Sequence, residues 1–362
     1  MDEYSSDFSY NSDSDEKFVP PTHGHDISDS DDDDDDDEGV VQEAACQQDD
    51  STMVENIVWE NDSTSMKQFP FMKSECLLQP VSGNNPIDFF RHFLTDDILE
   101  QIVAETNDYA QKVLLHREKK KCSRINDWKD TTKEELLIFV GLILHMGTIR
   151  MNRIQDYWKT DSLFGLRAFA ENMSRNRFLL LLRALHFAKI PEQNTEPPKD
   201  RLYKIRNMIN SFNSRVSQIY YPGRELSLDE SMILWRGRLV FRQYIPNKRH
   251  KYGIKLYMVT TSHGMILKFM VYTGMLDDSG GKGHSQKVVM NLLDGMLDVG
   301  HSVFMDNYYN SYELAKCLAD RKTHCTGTIK KIRKTFPKES QVEYAFKEGE
   351  TVQSLTCFGR IN

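Results

Sequence analysis

Apolar residues recur at helical spacing in several stretches of the chain that follow Pro86. The first helix is predicted to begin after Thr95, which is a suitable N-cap ahead of two acidic residues, and its apolar stripe comprises Ile98, Leu99, Ile102, Val103, Ala110 and Val113. A second helix opens with a capping box from Thr132 to Glu135, and two further helices follow before the chain reaches Pro222-Gly223. The pattern therefore predicts an all-helical domain at 86–222.

Beyond this region the pattern changes to the alternation that is typical of β-strands. "ELSLDESMILW" predicts one strand, and "KLYMVTTSHGMILKFMVYTG" predicts two strands joined by a turn at Ser262–Gly264. Next come a helix that ends at Gly300, the strand "SVFMD", a helix capped by Ser311 and the strand "THCTGTI". Three strands, helix, strand, helix, strand is the layout of an RNase H-like nucleotidyl transferase core. The predicted fold class is α/β with a helical domain.

Charge divides the 362-residue chain into two parts. Residues 1–66 hold 22 acidic side chains and one basic side chain, a net charge of −21, whereas the remainder holds 32 acidic and 45 basic side chains, a net charge of +13. Residues 1–85 are polar, include "SDSDDDDDDDE" and are predicted to be a disordered acidic tail. The basic body favours an anionic partner, nucleic acid first, although a surplus of Lys and Arg also serves simply to solvate a surface.

The cysteines and the longest apolar run bear on the compartment. Six cysteines are scattered without a CxxC pair, which indicates free thiols in a reducing compartment and argues against disulfides or a zinc site. The N-terminus lacks a signal-peptide pattern, and "LLIFVGLILHM" is too short to cross a bilayer. We therefore expect an intracellular protein that does not associate with a membrane.

Two aspartates occupy positions that suit phosphodiester chemistry. Asp229 lies in the first predicted strand and Asp306 at the end of the fourth, and these strands are neighbours in the predicted layout. Their carboxylates would then share a divalent cation such as Mg²⁺, and two such ions about 4 Å apart catalyse strand transfer in enzymes of this chemistry. An Asp at a strand end is also a common turn former or helix cap, so the spacing alone leaves both readings open.

Two groups of basic residues are candidates for DNA contact. The first group follows Asp229, is interleaved with Trp235, Tyr244 and Tyr252, and comprises Arg236, Arg238, Arg242, Lys248, Arg249, Lys251 and Lys255. The second group follows the last strand and comprises Lys330, Lys331, Arg333 and Lys334. Cations bind phosphates and aromatic rings stack on unpaired bases. The alternative is that the cations lie on ordinary exposed strands and loops while the aromatic residues belong to the core.

Several long motifs resemble the piggyBac transposase family. They include "YYPGRELSLDESMILWRGRLVFRQYIPNKRHKYGIKLYMV", "GHSVFMDNYYNSYELAKCL" and "GTIKKIRK", with "EELLIFVGLILHMG" in the helical region. The resemblance implies that Asp229 and Asp306 are the first two members of a catalytic Asp triad that uses Mg²⁺. It also implies a helical domain for dimerisation and DNA binding, DNA as partner, a homodimer as a further option, and a nuclear location.

The sequence departs from the family after the fifth core strand. The family's third catalytic Asp lies on a helix beyond an inserted domain, and a cysteine-rich segment follows it. Here the carboxylates beyond that strand are Glu339, Glu343, Glu348 and Glu350. We therefore expect an incomplete RNase H-like core at 223–334, a divergent tail at 335–362, and a transposase-derived DNA-binding protein that is inactive as given. The alternatives are an active Mg²⁺-dependent cut-and-paste transposase, if the chain is a fragment, and a decayed transposon copy.

Overall fold

A computed structural model describes residues 67–116, 123–161, 163, 165–191, 198–245, 251–274, 283–330 and 333, and the backbone of 59–60 and 356–357. The architecture is mixed α/β, with six helices preceding a six-stranded mixed sheet in the described part of the chain. Two short backbone pairings lie outside that sheet. β1 (Trp59–Glu60) pairs with β10 (Thr356–Cys357), and β2 (Cys76–Leu77) pairs with β3 (Tyr220–Tyr221).

Most of the helical part packs around its own apolar core, whereas its last helix packs mainly against the sheet. Its helices are α1 (Pro86–Phe93), α2 (Asp96–Tyr109), α3 (Lys133–Thr148), α4 (Arg167–Asn172), α5 (Arg175–Ala184) and α6 (Tyr203–Ile219). Buried apolar residues at helical spacing meet in one cluster that contains Leu99, Ile102, Leu136, Phe139, Phe169, Phe178 and Leu181. The periodicity of the sequence predicted α2, α3, α5 and α6. None of the described helices is long and apolar enough to span a bilayer.

One part of the predicted capping box is replaced by a tertiary contact. Thr132 caps α3 as predicted, because its side chain accepts a hydrogen bond from the backbone N–H of Glu135. The carboxylate of Glu135 turns away from the cap and accepts two hydrogen bonds from Arg177 of α5, both at 2.6 Å. The Arg177 guanidinium holds the pKa of Glu135 below its usual range. Glu135 thus links α3 to α5 instead of completing the capping box.

The sheet contains the strands that carry the candidate chemistry. Its members are β4 (Glu225–Leu234), β5 (Gln243–Tyr244), β6 (Tyr252–Thr261), β7 (Ile266–Val271), β8 (Ser302–Met305) and β9 (His324–Gly327). The strand order is β5-β6-β4-β8-β9, and β7 pairs with β6. β4 is antiparallel to β6 and parallel to β8, which is itself parallel to β9. Helices α7 (His284–Leu292) and α8 (Tyr312–Asp320) provide the connections to β8 and β9.

Helices cover both faces of this sheet. On one face, Leu226, Leu228, Val303 and Met305 pack in a cluster with apolar residues of α7 and α8. On the other face, Leu256 and Val271 pack against Ile209 of α6 and against Leu202, the N-cap residue of that helix. Alternation along each strand produces this division, since successive side chains point to opposite faces. The two layers fix β4 and β8 in the middle of the sheet.

Residues 67–78 lie against the core. The predicted disordered tail, 1–85, therefore includes a segment that contacts the folded part of the chain. The backbone N–H of Met72 donates to the carbonyl of Val299 at 2.9 Å, and that of Leu78 donates to Ile219 at 2.8 Å. The ring of Phe71 lies 4.8 Å from that of His301, and the backbone N–H of Phe69 donates to the His324 ring. These aromatic contacts and backbone bonds, which the charge count did not reveal, order the segment. We call residues 67–78 the N-terminal strap.

Gly300 tests how closely the N-terminal strap is fitted to the core. It has φ +91°, and an added Cβ would lie 2.2 Å from the carbonyl oxygen of Pro70. Gly264 is a matched control, because it has φ +84° and an added Cβ there would meet no atom within 4 Å. We predict that Gly264→Ala lowers the free energy of unfolding by about 1 kcal/mol through backbone strain alone. Gly300→Ala should cost roughly 1–3 kcal/mol more because it also collides with the strap.

Urea unfolding of the two variants gives the comparison. Equal losses for Gly264→Ala and Gly300→Ala would mean that the strap does not press on Gly300 in solution.

Candidate active site

The parallel pairing of β4 and β8 brings Asp229 and Asp306 together. Leu228 lies opposite Met305 in the register, so the next residue on each strand is one of the two aspartates. Both carboxylates are exposed, and β8 ends immediately before Asp306. One carboxylate oxygen from each lies within 4.8 Å of the other. The structure thus produces the juxtaposition that the predicted strand order required.

A third carboxylate, that of Glu230, joins this pair. Its ligand atom lies within 4.8 Å of those of Asp229 and Asp306, and the residue is half-buried. The sequence analysis missed Glu230 because strict alternation along β4 sends adjacent side chains to opposite faces. The phenol of Tyr309 donates a hydrogen bond to Glu230 Oε2 at 3.3 Å. The signal available in the sequence was a carboxylate directly next to the candidate metal ligand Asp229.

Asp306 also organises the turn that follows it. Its Oδ1 accepts a hydrogen bond from the backbone N–H of Tyr308 at 3.0 Å, and its carbonyl accepts one from the N–H of Asn310 at 3.2 Å. Ser311 then caps α8, since its hydroxyl accepts from the N–H of Leu314 at 3.2 Å. The turn-forming role left open by the sequence is therefore real. It is compatible with metal binding, because a carboxylate has further lone pairs for a cation.

Buried tyrosines support the carboxylates from inside the sheet. Tyr257 is the cross-strand partner of Glu230, and its ring meets that of Tyr309 edge-on at 6.1 Å. Burial raises the pKa of both phenols well above the usual range, so both remain protonated and able to donate. The Tyr257 hydroxyl is also hydrogen-bonded to the ring of His284 at 2.9 Å. His284 is thus a partner of a buried phenol.

The first basic group has a loop portion and an inner portion. Arg236, Arg238, Arg242 and Lys251 are exposed, and Lys248 and Arg249 lie outside the described residues. Arg242 donates to the carbonyls of Arg236 and Gly237 at 3.2 and 3.3 Å, so it also stabilises the loop. Lys255 is half-buried, and its ammonium lies 4.7 Å from the Tyr308 ring centroid. Lys255 is therefore beside the carboxylate cluster rather than on the loop.

The aromatic residues among these cations are exposed rather than part of the core. Trp235, Tyr244 and Tyr252 keep 44%, 41% and 47% of their surface accessible. The rings of Tyr244 and Tyr252 lie 4.6 Å apart, and the Arg242 guanidinium lies 5.2 Å from the Tyr252 ring. Exposed rings beside exposed cations suit contact with a nucleic acid.

The members of the second basic group also differ from one another in their surroundings. Lys331 and Lys334 lie outside the described residues, and Lys330 is half-buried. Arg333 faces the Asp306 turn, where its Nη2 donates to the carbonyl of Tyr308 at 2.9 Å. The second basic group, which looked uniform in the sequence, therefore contains at least one cation that is hydrogen-bonded to the backbone near the carboxylates.

Comparisons with known proteins identify the family of the chain. A family model described as Transposase IS4 matches residues 85–357. The human "PiggyBac transposable element-derived protein 3" is 26% identical over 299 residues, which cover 77% of this chain and 48% of the relative. The human "PiggyBac transposable element-derived protein 2" is 26% identical over 290 residues, which cover 75% of this chain and 46% of the relative.

A solved structure is also similar. It is a piggyBac transposase synaptic complex with hairpin DNA, with a TM-score of 0.63, 26% identity and coverage of 76% of this chain and 57% of that one. The fold and the matches define a protein of transposase type. The chain belongs to the piggyBac transposase family. It spans about half the length of the curated relatives described above.

The exposed cations of the loop can be tested by salt dependence. Neutralising Arg236, Arg238 and Lys251 to Gln should weaken binding to every duplex sequence alike, because phosphate contacts carry no sequence information. The log–log salt slope should fall by about 0.9 for each contact that is lost. Fluorescence anisotropy across a salt series measures this slope.

The control is Lys322→Gln, an exposed cation ahead of the amino end of β9, away from the carboxylates. An unchanged slope in a folded triple variant, or an equal change per residue in Lys322→Gln, would contradict phosphate contact by the loop.

Proposed function

We propose that the chain is a piggyBac transposase-derived DNA-binding protein whose core binds a divalent cation. The observation that carries the proposal is the parallel register of β4 and β8, from which Asp229 and Asp306 emerge side by side. Three carboxylates at short mutual distance form a donor set that suits Mg²⁺ or Mn²⁺, which prefer oxygen ligands. Like charges this close repel one another unless a cation or proton offsets them.

The residues around the cluster would prepare it for a phosphate. Asp229 and Asp306 would ligate the cation. Glu230 would lie beside them, oriented by the hydrogen bond that it accepts from Tyr309. When bound, the cation would neutralise charge on phosphate oxygens and lower the pKa of an attacking water or hydroxyl. The backbone N–H of Tyr308 holds one oxygen of Asp306, which limits the freedom of that carboxylate. Lys255 supplies a positive charge close to the same cluster.

Two observations support DNA as the partner. The similar solved structure is, by its title, a transposase complex with hairpin DNA. The loop after β4 presents exposed cations among exposed aromatic rings, and the chain beyond residue 66 carries a net charge of +13. Phosphate contacts from such a surface provide affinity that depends on salt.

The finer organisation belongs to the same proposal. The sheet with α7 and α8 is an RNase H-like core, and α1–α6 form a dimerisation and DNA-binding domain. Residues 1–58 and 61–66 of the predicted acidic tail lie outside the described residues, and the protein is proposed to be nuclear. These statements rest on the resemblance and on the charge pattern, and a homodimer is the assembly that they favour.

The 362-residue polypeptide alone is proposed not to cut DNA. The resemblance implies a third catalytic Asp on a helix beyond the fifth core strand, whereas the carboxylates of this chain beyond β9 are the four glutamates at 339, 343, 348 and 350, outside the described residues. Two-metal chemistry needs both ions held rigidly. The second candidate is an active Mg²⁺-dependent transposase of which this chain is a part. The intact, adjacent Asp229 and Asp306 favour that candidate.

A gel assay with DNA that carries piggyBac-like ends separates the two candidates. With Mg²⁺ or Mn²⁺, the native chain should shift DNA in a salt-dependent manner and yield no nicked, hairpin or joined product. The control is the variant with Asp229→Ala and Asp306→Ala, which should still shift DNA. Products that form with the native chain and vanish in the control would establish the enzyme. Failure to shift any DNA at low salt would remove the DNA-binding proposal.

A further inference from the structure

The side chain of Arg333, which follows β9 in the chain, is hydrogen-bonded to the turn between β8 and α8. Arg333 Nη2 donates to the carbonyl of Tyr308 at 2.9 Å and approaches that of Asn307 at 3.4 Å. Arg333 lies 27 positions after Asp306 in the sequence, beyond the end of β9. Its Nε is shielded from water and has no hydrogen-bond partner among the described residues. The guanidinium therefore faces the turn rather than projecting freely into solvent.

The contacted carbonyls belong to the two residues that follow Asp306. The same turn carries two bonds to Asp306 itself, from the N–H of Tyr308 to Oδ1 at 3.0 Å and from the N–H of Asn310 to the carbonyl oxygen at 3.2 Å. Tyr309, wholly buried, adds the bond to Glu230. A change in the path of residues 307–308 would therefore move the Asp306 carboxylate and the phenol that orients Glu230 at once.

We propose that Arg333 is a positioning residue for Asp306 and not a phosphate contact. It fixes the turn through its carbonyl oxygens and so fixes the direction of the Asp306 carboxylate. Charged donors form stronger hydrogen bonds to carbonyls than neutral donors do, and a planar guanidinium presents its donors in a fixed geometry. Lys322 carries the same charge ahead of the amino end of β9, is exposed and lies away from the carboxylates, so it serves as the control.

The proposal about cation affinity rests on the proposed metal site, whereas the proposal about the turn does not. Two readouts keep these apart. Hydrogen exchange of the Tyr308 and Asn310 amides reports the order of the turn without any metal, since both amides are bonded to Asp306. Mn²⁺ titration reports the carboxylate cluster. The salt slope of DNA binding reports phosphate contacts.

The experiment compares the full chain with Arg333→Gln, Arg333→Lys and Lys322→Gln. In Arg333→Gln, exchange of the two amides should accelerate by about tenfold, the effect of losing a hydrogen bond that holds the turn. Its Mn²⁺ affinity should fall by about tenfold, as is typical when a partner that orients a metal ligand is removed. The DNA salt slope should stay unchanged. Arg333→Lys keeps the charge without the planar donors and should reproduce the faster exchange. Lys322→Gln should leave exchange and Mn²⁺ affinity unchanged.

The outcomes separate the two roles. Native-like exchange in Arg333→Gln together with a smaller salt slope, restored by Arg333→Lys, would overturn the proposal in favour of phosphate contact. Faster exchange in a protein whose native form binds no Mn²⁺ would support the positioning of the turn while the proposed metal site failed. Faster exchange in Lys322→Gln to the same degree would also overturn the proposal, because charge rather than geometry would then explain it.

Discussion

The parallel hydrogen-bonded pairing of β4 with β8 is the contact on which the candidate site depends. It spans four residue pairs, from Glu225 opposite Ser302 to Leu228 opposite Met305. Because the side chains of a strand alternate, a shift of one residue would move an Asp to the apolar face and Leu226 or Leu228 out of it. The packing of these leucines with α7 and α8 therefore sets the register. The same register delivers Asp229 and Asp306 to one end of the shared strands.

Bringing carboxylates together opposes folding, and the surrounding structure limits how they can respond. Asp306 cannot turn away freely, because its side chain and carbonyl both accept bonds from the turn that follows. Glu230 accepts a bond from a buried phenol that stays protonated. A site that is held in this way has little to reorganise when a cation arrives, which is how preorganised ligands gain affinity.

Local sequence signals were sufficient for the elements that carry the two aspartates. The alternation in β4, the turn at Gly264 between β6 and β7, and Ser311 as the cap of α8 all occur where the sequence predicted them. The adjacency of Asp229 and Asp306 followed from the predicted strand order. α7 ends earlier than predicted, at Leu292, and Gly300 instead occupies a left-handed position against the N-terminal strap.

Features that depend on tertiary contact could not be read from the pattern. Glu230 reaches the cluster although alternation assigns it to the other face, and Arg333 turns inward although its neighbours made it look like part of a basic surface. Polar composition placed 67–78 in the predicted disordered tail, yet backbone hydrogen bonds to Val299 and Ile219 hold this segment. Each case involves a partner distant in sequence, and propensity and periodicity describe only near neighbours.

The central claim is that Asp229 and Asp306 act on one cation, and a double-mutant cycle of Mn²⁺ binding tests it most directly. Isothermal titration of the full chain, Asp229→Asn, Asp306→Asn and the double variant gives the four affinities. A shared cation predicts strong coupling, with the double variant binding hardly more weakly than either single variant. Additive losses, with each substitution weakening Mn²⁺ binding by the same factor whether or not the other is present, would contradict a shared site.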